Sequence, residues 1–289
     1  MKRAAKKKKI IAIAAIILMI IAAIMIIYEN TTVGVTRYTV SDEDIPIGFD
    51  SFKIAQFSDF HNADFNGNDC ILEILKNEKP DIIAITGDLV DSRHTDIEIS
   101  LDFIRKASEI ASCFYVTGNH EGALNNNYKQ LEEGLLALGV NVLHNQSIAL
   151  DKNGESLTIA GIDDPNFYSH EGGMFDFTQD IIGAEIDSLQ FGDTYTVLLS
   201  HRPEAFEVYE KKNVDLVLSG HAHGGQVRLP LIGGIVAPGQ GFFPKYDGGI
   251  YINDGTTMIV SRGIGNSIIP VRVNNMPEIV IVELKSEGD

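Results

Sequence analysis

The sequence predicts an α/β domain that follows one apolar N-terminal segment. Two observations support this class: strand-like and helix-like segments alternate in the first half of the 289 residues, and the second half is richer in strands. Alternation of this kind indicates parallel strands with helices on the faces of the sheet. In the first half we expect strands at 32–40, 51–58, 81–86 and 113–117, and helices at 70–77, 97–110 and 128–138.

The second half contains mainly strand-like segments. The pair Asn153-Gly154 is a strong turn signal and predicts a hairpin between 147–151 and 157–162. Segment 224–255 is rich in glycine, and loops of that length are usually functional or mobile. We interpret its Phe242-Phe243 pair either as part of the core or as a contact with a lipid-like substrate or a membrane. Further strands are expected at 195–200, 215–219, 258–261 and 279–284.

The N-terminal segment is predicted to be a membrane anchor. Residues Ile10 to Ile27 contain no polar side chain, and a helix of this length covers roughly 27 Å, close to the apolar thickness of a bilayer. The basic residues Lys6 to Lys9 should remain cytoplasmic and place the following domain outside. A cleaved signal peptide is the alternative, but no small-residue cleavage pattern follows. We expect a single-pass protein of the cell membrane, with a cytoplasmic tail 1–9, an anchor 10–28, a connector and first strand 29–50, and an extracytoplasmic domain 51–289.

Charge and cysteine content narrow the function. After Lys9 the chain carries 17 basic and 40 acidic side chains, which argues against nucleic-acid binding because phosphates require a basic surface. The two cysteines, Cys70 and Cys113, form no CxxC pair, so a cysteine zinc site is not expected. We interpret both as buried free thiols, with a disulfide as the alternative.

Polar residues with metal-binding side chains follow five of the predicted strands. In open α/β sheets, ligands bind at the carboxyl ends of the strands. Carboxylates, imidazoles and an amide oxygen suit ions such as Mn, Fe and Zn, and these ligands are too many for one ion. Two ions that share one carboxylate would use them all and suit an in-line phosphoryl displacement. The residues are Asp59 and His61, Asp88 and Asp91, Asn119 and His120, His201, and His221 and His223.

The order of these motifs, DxH, GDxxD, GNHE, a lone histidine and GHxH, resembles the calcineurin-like metallophosphoesterase family. The segment Ser261 to Gly265 and the segment Pro277 to Ile279 are similar to the membrane-associated bacterial YkuE/YaeI-like branch. The resemblance extends from about Phe52 to the C-terminus. It implies a β-sandwich of two mixed sheets flanked by helices, and hydrolysis of a phosphomonoester or phosphodiester by metal-activated hydroxide.

The resemblance also implies a role for each site residue. His120 would face the phosphate as leaving-group acid, and Asp91 would orient His120. The phosphoprotein phosphatase branch has Arg-Gly after GDxxD, whereas Ser92-Arg93 follows here, which argues against a protein phosphatase. One metal ion would be held by Asp59, His61, Asp88 and His223, and the other by Asp88, Asn119, His201 and His221, with Asp88 as the bridge.

Two other functions compete with this interpretation. The chain could be a non-catalytic binding module, as is the retromer subunit that resembles this family, but every expected ligand position is filled. A metal-dependent nuclease is disfavoured by the acidic domain and by the anchor.

The substrate and the assembly state are open. The anchor ends near Ile27 and strand-like sequence resumes at about Thr32, so the domain should stay close to the bilayer. A lipid-linked or cell-envelope phosphoester is therefore one option for the substrate. Oligomeric state is open. The remaining polar residues are interpreted as surface or supporting residues (His94, His144 and His170) or as turn formers before a proline (Asp163 and Asp164).

Overall fold

Two six-stranded mixed sheets form the framework of the described chain. The computed structural model describes residues 2–65, 67–167, 178–189, 192, 194–266 and 270–288. In chain order the strands are β1 (Gly34–Asp42), β2 (Lys53–Phe57), β3 (Ile82–Thr86), β4 (Ser112–Val116), β5 (Asn141–Val142), β6 (Gln146–Lys152), β7 (Glu155–Gly161), β8 (Thr196–Leu199), β9 (Leu216–Ser219), β10 (Arg228–Leu229), β11 (Gly233–Gly234), β12 (Val236–Ala237), β13 (Gly241–Phe242), β14 (Gly249–Asn253), β15 (Thr256–Val260) and β16 (Glu278–Ser286).

The first sheet has the strand order β1-β16-β2-β3-β4-β5, and the second has the order β14-β15-β9-β8-β7-β6. In the first sheet β2, β3, β4 and β5 run parallel, whereas β16 is antiparallel to β2. In the second sheet β7, β8, β9 and β15 run parallel, and β6 and β14 pair with antiparallel neighbours. Each sheet is therefore mixed, as predicted.

The two sheets pack face to face, and alternation along each strand explains the layers. In β3, Ile82 and Ala84 lie in a core between the sheets, whereas Ile83 and Ile85 lie in a second core under the helices. Leu157 of the second sheet belongs to the same inter-sheet core. A third core lies on the outer face of the second sheet. The fold is therefore a sandwich with helices on both outer faces, which confirms the predicted fold class.

Helices cover the outer faces of both sheets. Three amphipathic helices cover the first sheet, and their buried side chains belong to its outer core. The two helices on the second sheet were not predicted. Among the described residues the helices are α1 (Lys2–Thr31), α2 (Asp69–Glu78), α3 (Ile97–Ser108), α4 (Asn119–Gly122), α5 (Asn126–Ala137), α6 (Thr178–Ser188) and α7 (Phe206–Lys211).

The N-terminal helix α1 stands apart from these layers. Its segment Lys6–Thr31 has a mean hydropathy of 3.4, none of its most apolar stretch is buried, and it is the one helix in the described chain long and apolar enough to cross a membrane. The helix extends to Thr31, beyond the expected end near Ile27. Only Thr32 and Val33 separate it from β1, so the connector is shorter than the sequence suggested.

Three expectations change in the structure. Cys113 is buried, and burial raises the pKa of its thiol to about 12, but Cys70 is exposed and its predicted burial is wrong. The buried face of α2 is formed by Ile71, Leu72 and Leu75, and Cys70 lies outside it. Segment 224–255 contains β10 to β14 rather than one continuous loop. Its Phe242 and Phe243 are exposed, at 77% and 62%, and so do not belong to the core.

Candidate metal centre

The nine predicted site residues lie in five loops at one edge of the sandwich. Three loops follow parallel strands of the first sheet, and two follow parallel strands of the second. The loops meet across the two sheets, since His201 Nε2 lies 3.3 Å from Asp88 Oδ2. β2 leads to Asp59 and His61, β3 to Asp88 and Asp91, β4 to Asn119 and His120, β8 to His201, and β9 to His221 and His223.

The backbone at this edge is held in an unfavourable conformation. Five of the predicted ligands have a positive φ, which non-glycine residues rarely adopt and which is typical of functional sites. Such conformations persist only where the surrounding structure fixes them. They are Asp59 (52°), His61 (48°), Asp88 (52°), His221 (66°) and His223 (47°).

Glycines beside the ligands allow the loops to approach one another closely. A Cβ on Gly118 would lie 2.3 Å from Asp88 Oδ1, and a Cβ on Gly220 would lie 1.8 Å from Ser58 Oγ. No side chain fits in either position without moving the ligand loops. The glycines of the GNHE and GHxH motifs are therefore required by the packing of the site.

The first cluster of potential ligands contains Asp59, His61 and His223. Their donor atoms lie within 4.8 Å of one another and all three residues are buried. His223 Nε2 is 3.2 Å from Asp59 Oδ1 and 3.2 Å from His61 Nε2. Burial lowers the pKa of His61 to about 4, so its imidazole is neutral and has a lone pair for a metal ion.

The second cluster contains Asp88, His201 and His221, again buried and within 4.8 Å. His221 Nδ1 is 3.1 Å from His201 Nε2. His201 Nδ1 is 2.8 Å from the Thr86 carbonyl, which accepts its proton and leaves Nε2 directed into the cluster. Burial disfavours the His201 imidazolium, but the Asp88 carboxylate outweighs burial and raises its pKa to about 10. The cluster therefore attracts positive charge.

Asp88 connects the two clusters through one oxygen atom. Its Oδ2 lies 3.6 Å from His61 Nε2 and 3.3 Å from His201 Nε2. Its Oδ1 accepts a hydrogen bond from the His120 main-chain N–H at 2.8 Å. Although burial opposes ionisation, the neighbouring imidazoles, His201 foremost, hold the pKa of Asp88 well below its usual range. One ionised oxygen thus faces ligands of both clusters.

Asn119 lies at the start of α4 and presents an unused acceptor. Its Oδ1 is buried and has no hydrogen-bond partner in the described part of the chain. A buried carbonyl oxygen without a donor is costly unless a cation or water occupies the space beside it. Asn119, Asp88 and His221 line a cavity of about 260 Å³. The donor set of carboxylate, imidazole and amide oxygen fits divalent cations such as Mn, Fe or Zn.

His120 lines the same cavity, and its orientation is set by Ser92. The Ser92 main-chain N–H donates to His120 Nδ1 at 3.0 Å, so Nδ1 is an acceptor and the proton of the neutral ring lies on Nε2. Asp91 Oδ1 is 3.5 Å from Nδ1. The Asp91 carboxylate instead accepts hydrogen bonds from the Arg93 side chain at 3.1 and 2.9 Å. The structure therefore brings Asp91 near His120 but gives the direct hydrogen bond to Ser92.

Glu121 supports the candidate site through contacts that the sequence did not reveal. This buried carboxylate accepts four main-chain hydrogen bonds, from the N–H groups of Asp88 (2.9 Å), Leu89 (2.8 Å), Val90 (3.3 Å) and Gly118 (2.7 Å). It thereby joins the loop that carries Asp88 to the loop that carries Asn119. The motif GNHE contains this residue, but the sequence alone does not show which donors it meets.

A buried ion pair contacts one of the predicted ligands of the second sheet and changes the interpretation of two aspartates. Arg202 donates to Asp164 from Nε (2.5 Å) and Nη2 (2.9 Å), and its Nη1 lies 3.0 Å from His221 Nε2. Asp163 lies 2.9 Å from His144 Nδ1. These aspartates are therefore more than turn formers, and His144 is a supporting residue. The predicted surface or supporting role of His170 lies outside the described residues.

Comparisons with known proteins agree with this geometry. The calcineurin-like phosphoesterase family model matches residues 52–225. The chain is 33% identical over 263 residues to the metallophosphoesterase YkuE of Bacillus subtilis (strain 168), covering 88% of this chain and 86% of YkuE. It is 27% identical over 240 residues to the phosphodiesterase YaeI of Escherichia coli (strain K12), covering 81% of this chain and 82% of YaeI.

A bovine relative carries the same domain in a longer chain. This transmembrane protein with metallophosphoesterase domain, from Bos taurus, is 28% identical over 269 residues, which is 87% of this chain and 57% of the relative. The family model matches more than half of the chain, and the relatives are metallophosphoesterases and a phosphodiesterase. The chain therefore belongs to the calcineurin-like phosphoesterase family and is a metal-dependent phosphoester hydrolase.

Proposed function

We propose that the chain binds two divalent ions, drawn from Mn, Fe and Zn, and uses them to hydrolyse phosphomonoesters or phosphodiesters. The observation that carries this proposal is the single Asp88 Oδ2 atom that faces His61 on one side and His201 on the other. One ion would be held by Asp59, His61, Asp88 and His223. The other would be held by Asp88, Asn119, His201 and His221.

The residues that line the cavity would have different roles in the hydrolysis. Bound ions would supply a water of lowered pKa and positive charge for the phosphate oxygens. His120 presents its Nε2 proton, since Nδ1 is engaged by Ser92, and can transfer this proton to the leaving-group oxygen. Arg93 lines the same cavity and adds a positive charge that suits a phosphate. Asp91 holds Arg93 in place.

Metal content and hydrolysis together test this assignment. Full-length protein in nanodiscs should retain two ions per chain, measured by mass spectrometry of the metals, and should hydrolyse bis(p-nitrophenyl) phosphate or p-nitrophenyl phosphate. Asp88→Asn should lose both ions and nearly all turnover because this carboxylate serves both clusters. The matched control is Asp254→Asn, an exposed aspartate in the turn between β14 and β15. Full metal content in Asp88→Asn would contradict a bridging role.

We further propose that α1 anchors the enzyme in the cell membrane with its basic end inside and the hydrolase domain outside. The apolar segment Lys6–Thr31 and the bovine transmembrane relative support an anchor. The lysines Lys6 to Lys9 support the orientation. Protease added to intact spheroplasts should digest the domain and leave a protected N-terminal fragment. Protection of the domain until lysis would contradict this orientation.

The position of the anchor favours a lipid-linked or cell-envelope phosphoester. A cavity of about 370 Å³ is lined by Asn30 and Thr31 at the end of α1 and by His61 of the first cluster. Its walls include Phe65 and Ile264, which suit an amphiphilic group. A substrate in the same bilayer would thus meet the metal centre at a short distance, and anchoring raises its effective concentration.

The proposed preference for a membrane substrate can be tested by comparing the same lipid substrate in two locations, with the same protein. A phospholipid carrying a terminal phosphomonoester is placed either in the nanodisc that holds the enzyme or in separate vesicles. We expect faster hydrolysis in the shared bilayer, with no such difference for a soluble phosphoester added to both samples. Equal rates for the two placements of the lipid would contradict the proposal and leave the anchor as a device of localisation.

A further inference from the structure

A short apolar hairpin projects from the second half of the domain. It is formed by β10 and β11, which pair antiparallel through Arg228 with Gly234 and Leu229 with Gly233. Its side chains Leu229, Leu231 and Ile232 are exposed by 40%, 108% and 63%; we call these three residues the hairpin patch. Leu231 has a φ of 69°, a conformation that non-glycine residues rarely adopt. Leu231 is thus fully exposed at the tip of the turn. Turns on the surface of soluble proteins favour glycine or asparagine at such a position.

The hairpin is hydrogen-bonded to a segment that in turn holds the end of α1. The N–H of Arg228 donates to the Val273 carbonyl at 3.0 Å. The side chain of Asn30 in the last turn of α1 both donates to the Arg272 carbonyl and accepts from the Arg272 N–H, each at 2.8 Å. The N–H of Asn274 donates to Glu29 at 2.6 Å. Segment 270–276 therefore connects the hairpin patch to the residues at which α1 leaves the bilayer.

Charge around the hairpin differs from charge elsewhere in the chain. The whole chain has a formal net charge of -17, yet neither residues 216–246 nor residues 255–277 contain an aspartate or glutamate. Both segments meet beside the end of α1 through the pairing of Val227 with Val273. Among the described residues, the one carboxylate that contacts the hairpin from outside these segments, Asp247, is paired with Arg228 at 3.2 Å, so the hairpin presents no uncompensated carboxylate to an anionic bilayer surface, whereas the strongly acidic remainder of the chain would be repelled by it.

We propose that the hairpin patch inserts into the interface of the same bilayer that α1 crosses. This inference rests on the proposed anchoring by α1. The anchor fixes the bilayer next to segment 270–276, and the patch places apolar side chains where interfacial segments bury theirs. Two attachments, α1 and the patch, hold the domain in one orientation, with the cavity lined by Asn30 and His61 close to the lipid head groups.

Site-specific quenching by labelled lipids tests the insertion in the full chain. In a Cys70→Ser background, which leaves only the buried Cys113, single cysteines are introduced by Leu231→Cys, Leu136→Cys or Leu18→Cys and labelled with a small fluorophore. Leu136 is a matched control, because it is a leucine of α5 with 54% exposure. Leu18 lies within α1 and reports on the anchor. The protein is reconstituted in nanodiscs of phosphatidylcholine and phosphatidylglycerol that contain lipids with a spin label either at a shallow acyl position, for Leu231→Cys and Leu136→Cys, or at a deep acyl position, for Leu18→Cys at the middle of the apolar segment.

We expect several-fold stronger quenching at Leu231→Cys than at Leu136→Cys. Equal, weak quenching at both positions, with strong quenching at Leu18→Cys, would overturn the insertion while the anchor stands. Absence of quenching at Leu18→Cys would overturn the anchor and the insertion together. Disulfide-linked dimers of the unlabelled Leu231→Cys protein, with no lipid quenching, would assign the patch to a second copy of the chain and also overturn the proposal.

A functional variant adds a second measurement that does not depend on labels. Leu231→Asp together with Ile232→Asp should slow hydrolysis of the phosphomonoester lipid in the shared nanodisc several-fold. Hydrolysis of soluble bis(p-nitrophenyl) phosphate should be unchanged, because the patch does not line the cavity of His120. Unchanged rates on both substrates would contradict insertion, and the metal assignment would stand in either case.

Discussion

The two sheets hold their proposed metal ligands by different means. In the first sheet, main-chain hydrogen bonds join neighbouring ligand loops: the Asp59 N–H donates to the Gly87 carbonyl, and the His61 N–H donates to the Asp88 carbonyl, each at 3.0 Å. The Glu121 carboxylate then collects four main-chain donors from two of these loops. A buried carboxylate group thus organises the first-sheet loops through the backbone.

In the second sheet, the buried cation Arg202 has the supporting role that Glu121 has in the first sheet. Arg202 forms a two-point ion pair with Asp164 and reaches His221 with its remaining nitrogen. Although burial opposes its charge, Asp164 keeps the pKa of Arg202 above its usual range. The contrast is that a buried carboxylate group joins the first-sheet loops through main-chain donors, whereas in the second sheet, where the Gly220 N–H also donates to the His201 carbonyl at 3.3 Å, a buried arginine side chain contacts the imidazole of His221. Substitution of the two organising residues should therefore have separable effects on metal binding.

The largest effect is expected for Glu121→Gln. The glutamine amide retains one acceptor oxygen, but its NH₂ group would face main-chain N–H groups such as those of Asp88 or Gly118, which then lose their acceptor. Each unsatisfied buried group costs about 1–3 kcal/mol. Because both ligand loops move, we expect loss of both ions and a lower melting temperature, measured by metal analysis and thermal unfolding. Glu133→Gln, an exposed glutamate of α5, is the control. Normal metal content in Glu121→Gln would show that the ligand loops hold without this carboxylate.

A more selective effect is expected for Arg202→Met. Removal of the cation leaves the buried Asp164 carboxylate without its counter-charge, which costs about 3–5 kcal/mol in comparable ion pairs. The second ion should be bound about 10–100-fold more weakly because His221 loses its supporting contact. Adding Asp164→Asn should restore much of the stability but not the second ion. Restoration of both, measured by unfolding and metal titration, would argue that Arg202 acts only as a counter-charge.

The next effect concerns turnover without metal loss. His120→Ala removes the proton donor but no predicted ligand, so turnover should fall by about 10²–10⁴-fold while both ions remain. Ser92→Ala keeps the main-chain donor to Nδ1 and removes only the hydroxyl, which lies 3.1 Å from Nδ1, so its effect should be much smaller. Loss of metal from His120→Ala would mean that this residue is a ligand.

Sequence patterns predicted the elements and motifs whose signals are local. The parallel strand β3 is a continuous apolar run, Ile82 to Ile85, as expected for a strand buried on both faces. The ligand motifs lie directly after such strands, so their placement at one edge of each sheet followed from parallel pairing, whereas the meeting of the two edges depends on how the sheets pack. The hairpin at Asn153-Gly154 was likewise predicted by its turn residues and is confirmed.

Contacts between distant parts of the chain could not be predicted. Arg202 and Asp164 are separated by 38 residues, and no local pattern connects them. The strand β14 lies in the glycine-rich segment and exposes Ile252, so it lacks the buried stripe by which a strand is recognised. Helix α7 covers only six residues, fewer than two turns, which is too short for a helical period.

The smallest effect should come from Glu185, which lies behind the second-sheet ligands on α6. Burial, followed by the Asp163 carboxylate, raises the pKa of Glu185 to about 8, whereas an unfolded chain has the ordinary value of 4.5. Between these pH values the folded protein retains a proton that the unfolded chain releases. The stability that this residue contributes is therefore complete below pH 4.5 and is lost as the pH rises through 8.

Glu185→Gln imitates the protonated side chain and should remove this dependence. Near pH 5 the variant and the natural protein should unfold at similar temperatures, and near pH 8.5 the variant should be more stable by about 1–3 kcal/mol, the usual cost of a poorly compensated buried polar group. At about 2–4 °C for each kcal/mol, thermal unfolding resolves this difference. Asp180→Asn, an exposed carboxylate on the same helix, should show no growing difference with pH. A constant difference between Glu185→Gln and the natural protein at both pH values would mean that Glu185 is ionised in the folded state. In that case Glu185 would be a third buried, charged carboxylate beside Asp163 and Asp164, in the region that contains Arg202.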